Sequence, residues 1–104
     1  MKAIFIDSEN KEIKEIEVTG LSDMQRCVNG LIEQAVTIRN NVIFVDEEGL
    51  FKHYEIWFSY DHSRPFAGNG LVIGYDLNTG DEIDTSMDIE EVKSKVTFLD
   101  YSIQ

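Results

Sequence analysis

The stretch "LSDMQRCVNGLIEQAVTIRNNVIFVDEEG", Leu21 to Gly49, changes its apolar period part-way along, and that change decides the fold class. At first Met24, Cys27, Val28 and Leu31 recur at the spacing of one helical face. Ser22 stands where an N-cap belongs, with Gln25 three residues on to complete a capping box, and Gly30 offers a left-handed residue to end the helix. From Leu31 to Ile38 the text becomes β-forming. "RNN" is turn chemistry, because asparagine tolerates positive φ. "VIFV" is then a four-residue apolar run suited to a strand covered on both faces, and "DEEG" closes that arm with Gly49 as its permissive residue. The unit is a short helix feeding an antiparallel hairpin, which points to an α+β domain.

The flanks repeat the theme. Lys2 to Asp7 and Ile13 to Thr19 enclose the polar "SENKE" and predict an opening hairpin. Ile13, Ile16 and Val18 do not keep one parity, so a bulge or twist is expected near Lys14. Downstream, "HYEIWFSYDHSRPFAGNG" (His53 to Gly70) holds both histidines, the single tryptophan, the single proline and five of the eleven aromatic residues. Tyr54, Ile56, Phe58 and Tyr60 share one parity, while His53, Glu55, Trp57, Ser59 and Asp61 share the other. This alternation predicts a strand with an aromatic core face, followed by a loop. "LVIGYDL" resumes an apolar strand in which Gly74 marks a bulge or a close backbone approach. "NTGDEIDTS" reads as a polar turn with a short alternating piece. Asp88 with Glu91 opens the last helix, and Ile89, Val92, Val96 and Leu99 make its stripe. The expectation is one α+β domain over residues 1–104, with a largely antiparallel sheet of five to six strands and two short helices.

Composition agrees. The chain has 104 residues, 42% hydrophobic and 28% charged, enough apolar material for one core. Cys27, the single cysteine, has no intramolecular partner, so no disulfide supports the fold, and on the helical stripe it reads as a small buried group. The start "MKAIFID" meets Asp7 too soon for a signal peptide, and no apolar run approaches the roughly 20 residues needed to span a bilayer. A cytoplasmic protein is expected. Twenty acidic against nine basic residues give a net charge of −11, which repels nucleic acid and anionic membranes and attracts a basic partner.

Several chemistries have no signature. His53 and His62 lack the spacing and the cysteine companions of a zinc site. "DLNTGDEIDTSM" imitates a calcium loop, with Asp76, Asn78, Glu82 and Asp84 at alternate positions. It has Asp81 where the sharp-turn glycine belongs and Met87 where a bidentate glutamate belongs. No glycine-rich phosphate loop, redox cysteine pair or nucleophile elbow occurs. No cofactor, metal or catalytic residue is assigned, and an enzyme with His53 or His62 as general base is the remote alternative.

"LSDMQRCVNGLIEQA", "NNVIFVDEEGLF" and "GNGLVIGYD", in that order, resemble a family of small single-domain proteins of bacteria, phages and mobile elements, the domain of unknown function 3846. The resemblance covers most of the chain and implies the α+β fold and a small accessory protein carried on mobile DNA. It transfers no catalytic residue, and the chain departs from it between His53 and Pro65.

Two functional readings follow. In the first, a non-enzymatic interaction module engages a basic protein surface, such as that of a nucleic-acid-binding protein, through Asp46, Glu47, Glu48, Asp81, Glu82, Asp84, Asp88, Glu90 and Glu91. An anti-defence or nucleic-acid-mimic inhibitor would work in this way. In the second, Trp57, Tyr60, His62 and Arg64 line a pocket for a nucleotide or another small anion, the arginine holding the charge and the rings stacking. An exposed sheet edge also makes a homodimer conceivable.

Overall fold

The computed structural model describes residues 1–102. Nine strands and two helices follow in the order β1 (Lys2–Asp7), β2 (Glu12–Glu17), α1 (Gly20–Val28), β3 (Ile32–Ile38), β4 (Asn41–Asp46), β5 (Ile56–Tyr60), β6 (Phe66–Ala67), β7 (Gly70–Tyr75), β8 (Glu82–Ile83), α2 (Ile89–Lys95) and β9 (Val96–Asp100). A 3₁₀ turn over Gly49–Phe51 links β4 to the segment before β5. The larger sheet runs β2-β1-β7-β4-β3, with β8 on β7, and a second sheet runs β6-β5-β9. Every pairing is antiparallel.

Three layers explain the apolar pattern. Alternate residues of β1, β4 and β7 point to opposite faces, and both faces are covered. Ile4, Ile6, Ile43, Val45 and Val72 pack with Phe58, Tyr60 and Phe66 of the small sheet and with Met87 and Val92 of the α2 region. Ala3, Val42, Phe44, Leu71 and Ile73 pack on the other side with Met24 and Val28 of α1. This is why β4 is buried at every position, as its continuous apolar run implied.

The same geometry corrects the bulge expected near Lys14. The β1–β2 register runs unbroken from Lys2↔Glu17 to Asp7↔Glu12. Ile13 packs on the small-sheet side and Ile16 on the α1 side, so their mixed parity reflects two cores. The register shift lies instead in β3, between Gln34 and Val36.

Other local expectations change. The N-cap of α1 is Thr19, whose N–H donates to the Asp23 carboxylate at 2.7 Å, and Ser22 lies inside the helix. Asn29 takes the left-handed conformation that Gly30 was expected to supply (φ 66°). Gly30 is needed for space: a Cβ there would stand 2.5 Å from Asp46 Oδ1. Leu31, assigned to the helical stripe, follows the helix and is exposed. At the β3–β4 turn the positive φ belongs to Arg39 (54°). The expected close approach at Gly74 is present, since a Cβ would meet Asp84 O at 2.3 Å.

The largest difference lies at the C-terminal end. Asp88 caps α2, its carboxylate accepting the Glu90 N–H at 2.7 Å, but the helix stops at Lys95 and Val96–Asp100 becomes β9 against β5. "VTFLD" carries β-formers whose spacing also suits a helix. The decision falls to pairing, because β5 without β9 would have an open edge on that side.

Candidate functional site

Carboxylates dominate the surface, so the site is built from how the fold holds them. The acidic stretch Asp76–Glu91 begins in the β7–β8 turn, where the Asp76 carbonyl accepts the Gly80 N–H at 2.7 Å and the Asp76 N–H donates to Asp81 O at 2.9 Å. Beyond β8 the chain crosses the start of β1: Lys2 N–H donates to Asp84 Oδ1 at 2.8 Å, and Thr85 N–H to Lys2 O at 2.9 Å. It then meets Asn41, which is fully buried. Asn41 Oδ1 accepts from Thr85 Oγ1 at 2.7 Å and from Ser86 N–H at 3.2 Å, while its amide nitrogen donates to Ser86 Oγ at 3.0 Å. One asparagine thus pins the segment that joins the acidic hairpin to the acidic first turn of α2.

Asp81, Glu82, Asp84, Asp88 and Glu90 are exposed on this frame. Glu91 is half-buried and receives both bonds of Arg39 Nη2 at 2.9 Å, and Glu90 lies 3.6 Å from Lys93. Among the described residues no cation pairs with Asp76, Asp81, Glu82 or Asp88. Five of the nine basic side chains are engaged elsewhere: Lys11 with Asp100, Lys14 with Asp7 and Glu12, Arg26 with Asp23, Lys52 with Asp46, Lys95 with Asp61. Arg39 and Lys93 pair only with the α2 end of the stretch, at Glu91 and Glu90. Asn41→Ala would leave the buried Thr85 hydroxyl and the Ser86 N–H without their acceptor. The expected cost is about 1–3 kcal/mol, read by urea denaturation, and a loss below about 0.5 kcal/mol would mean the frame does not depend on it.

The first carboxylate cluster divides. Glu47 and Glu48 are exposed, but Asp46 is not part of the surface. Its side chain is fully buried, accepting from Lys52 Nζ at 2.7 Å, Tyr54 OH at 2.7 Å and Glu48 N–H at 2.9 Å. It is a strut, and it leaves the docking set.

Of Trp57, Tyr60, His62 and Arg64, Tyr60 and Arg64 border two different clefts. Trp57 donates its indole N–H to Tyr54 O at 2.9 Å and stands edge-on to Tyr101, with ring centroids 5.7 Å apart. Tyr60 is buried, its hydroxyl has no hydrogen-bond partner among the described residues, and it borders a cleft of about 420 Å³ with Arg39, Asp61, Glu91 and Lys95. His62 occupies a tight turn with Asp61, φ 65° and 49°, closed by Ser63 N–H to Tyr60 O at 2.9 Å. Arg64 lies 4.7 Å over the Phe66 ring beside a different cleft of about 190 Å³. His53 borders a third, of about 430 Å³, with Glu9, Asn29, Tyr54, Glu55 and Asn69. Cys27 is half-buried; burial, with the Asp23 charge adding to it and the Arg26 charge opposing, pushes its thiol up. Among the described residues no group of three or more His, Cys, Asp or Glu side chains could hold a metal ion, and no helix is long and apolar enough to cross a membrane.

Sequence reasoning missed Asn41, whose partners Thr85 and Ser86 are distant in sequence, and Lys52 and Tyr54, which fold back on Asp46 through the 3₁₀ turn. It also passed over Leu50 and Phe51, although two bulky apolar residues directly after "EEG" were a visible oddity. No curated protein and no solved structure matches the chain. A family model described as domain of unknown function (DUF3846) matches residues 1–97. With nearly its whole length matched, from the first strand into β9, the chain belongs to the DUF3846 family.

Proposed function

We propose that this chain is a non-enzymatic interaction module that engages a basic protein surface through Glu47 and Glu48 and through Asp81, Glu82, Asp84, Asp88, Glu90 and Glu91. The supporting observation is the pinned acidic segment, where a fixed backbone carries Asp81, Glu82 and Asp88 with no ion pair among the described residues. Holding like charges together is unfavourable for the free protein, and a basic partner relieves it. Pinning by Asn41 and Lys2 also lowers the ordering cost of binding. In the mobile-DNA setting that the family resemblance implies, the natural target is a cytoplasmic nucleic-acid-binding protein, whose basic groove the carboxylates would occupy as an inhibitor. The small-anion alternative draws less support, because Tyr60 and Arg64 border different clefts and Trp57 packs edge-on to Tyr101.

A synthetic lysine–serine peptide is a suitable probe, followed by calorimetry and by amide chemical shifts. Raising salt from about 50 to 300 mM is expected to weaken binding at least about tenfold, with the shifts centred on residues 76–91. Charge reversal in Asp81→Lys/Glu82→Lys should have a similar effect at low salt. Equal affinity at both salt concentrations, or shifts spread evenly over the surface, would overturn the proposal.

A further inference from the structure

Phe51 is 84% exposed and its neighbour Leu50 69%, on a turn that is not loose. Phe51 N–H donates to Glu48 O at 3.0 Å, Lys52 N–H to Gly49 O at 3.3 Å, and Glu48 N–H to the buried Asp46 carboxylate. Gly49 lies so close to Ala67 that a Cβ would stand 3.3 Å from the alanine methyl. Lys52 ties the far end of the turn to Asp46 and, at 2.8 Å, to Asn29 O. Leu31, 53% exposed, is held alongside by its carbonyl, which accepts the Glu47 N–H at 2.8 Å. A buried carboxylate, a lysine and a tyrosine hydroxyl are thus committed to a turn that presents two apolar side chains to water, with a third on the adjacent backbone.

Acidic groups flank the turn. Glu47 and Glu48 precede the turn, and Glu33 and Glu47 share with Leu50 the cleft that Arg64 borders. Lys52 is neutralised by Asp46, and Arg64 lies over Phe66.

We propose that Leu31, Leu50 and Phe51 form the apolar anchor of the docking surface, and that its occupant is a protein offering an apolar pocket rimmed by lysine or arginine. A rigid ring at the tip of a turn is the kind of group that fills such a pocket and dominates affinity, while the glutamates at its rim select the sign of the partner. An anionic membrane and a second copy of a chain with net charge −11 both present the wrong sign. This inference rests on the proposed function for the charge of the partner and adds a contact that salt does not screen.

The test compares two synthetic helical peptides, leucine–lysine and serine–lysine, by calorimetry and amide shifts on the whole chain. The leucine–lysine peptide is expected to bind at least about tenfold more tightly and to shift Leu31 and residues 47–52. Leu50→Ser/Phe51→Ser should erase that advantage without lowering the unfolding midpoint, since both side chains are already in water. Equal affinities, shifts confined to residues 76–91, or an unchanged double variant would overturn the anchor. Binding to phosphatidylglycerol vesicles that requires Phe51, or a Phe51-dependent dimer in sedimentation, would also overturn it, in favour of a membrane or a second copy. The outcomes separate the two proposals. Salt-sensitive serine–lysine binding at 76–91 without a leucine advantage sustains the acidic function and removes the anchor, and salt-insensitive leucine–lysine binding at 47–52 does the reverse.

Discussion

Phe58→Ala is expected to cost about 3–5 kcal/mol, a large share of the roughly 5–15 kcal/mol that holds a domain folded. Phe58 is fully buried at the middle of β5, and its ring fills the gap between the two sheets. A Cβ on Gly70 of β7 would stand 2.6 Å from the tip of that ring and 3.2 Å from Ile43 Cγ2 of β4. The bare glycine is therefore the socket into which the ring fits, and Phe66 flanks it at 5.6 Å between centroids. Removing the ring opens a cavity bounded by both sheets, which cannot collapse without breaking the strand register of one of them. Gly70→Ala alone should destabilise by about 1–3 kcal/mol through overpacking. Combined with Phe58→Leu, which shortens the side chain, it should cost less than the two single effects added, because the new methyl enters vacated space. Strict additivity in urea denaturation would show that the ring and the glycine are not socket and plug.

That seam marks where reading the sequence succeeds and where it stops. The alternation of Tyr54 to Tyr60 assigns Phe58 to a core face from local text alone, and the unbroken "VIFV" run announces a strand with both faces covered. What covers them is not local. The small sheet forms because Val96–Asp100 finds β5, and a stripe of Ile89, Val92, Val96 and Leu99 fits a longer helix equally well until that pairing is known. The same limit governs the acidic residues. Composition gives net charge −11 but cannot separate Asp46 from Glu47, adjacent carboxylates of which one is buried and the other exposed. Strand parity helps only once the register of β4 with β3 and β7 is established. Helix caps fail for a smaller reason: Thr19 and Ser22 are both ordinary N-cap residues, and Asn29 and Gly30 both tolerate the left-handed conformation at the other end, so local text does not choose within either pair.

Asp46→Ala is the second large effect, about 2–4 kcal/mol. The carboxylate has three donors and no contact with water, so its loss leaves the Glu48 N–H and the Tyr54 hydroxyl without their acceptor. The half-exposed Lys52 ammonium can turn to solvent, which keeps the cost below that of a pair buried on both sides. Acid behaviour follows from the same contacts. Burial alone raises the Asp46 carboxyl, but the bonds from Lys52, Tyr54 and Glu48 N–H, with the lysine charge, outweigh it and hold the group below the usual carboxylate range. A depressed carboxyl contributes stability that is complete above its unfolded value of about 3.9 and is lost as pH falls through the lower folded value. On the alkaline side burial, followed by the Asp46 bond and charge, pushes the Tyr54 phenol up to about 12. A raised phenol contributes stability that is complete below its unfolded value of about 10 and is lost as pH rises towards the folded one. Asp46→Asn should flatten both limbs of the stability profile, while Tyr54→Phe should flatten the alkaline limb and spare most of the acid one. Urea midpoints near pH 3, 7 and 11 suffice to see it. Should Asp46→Asn keep the full acid slope, the carboxylates that govern acid unfolding lie elsewhere.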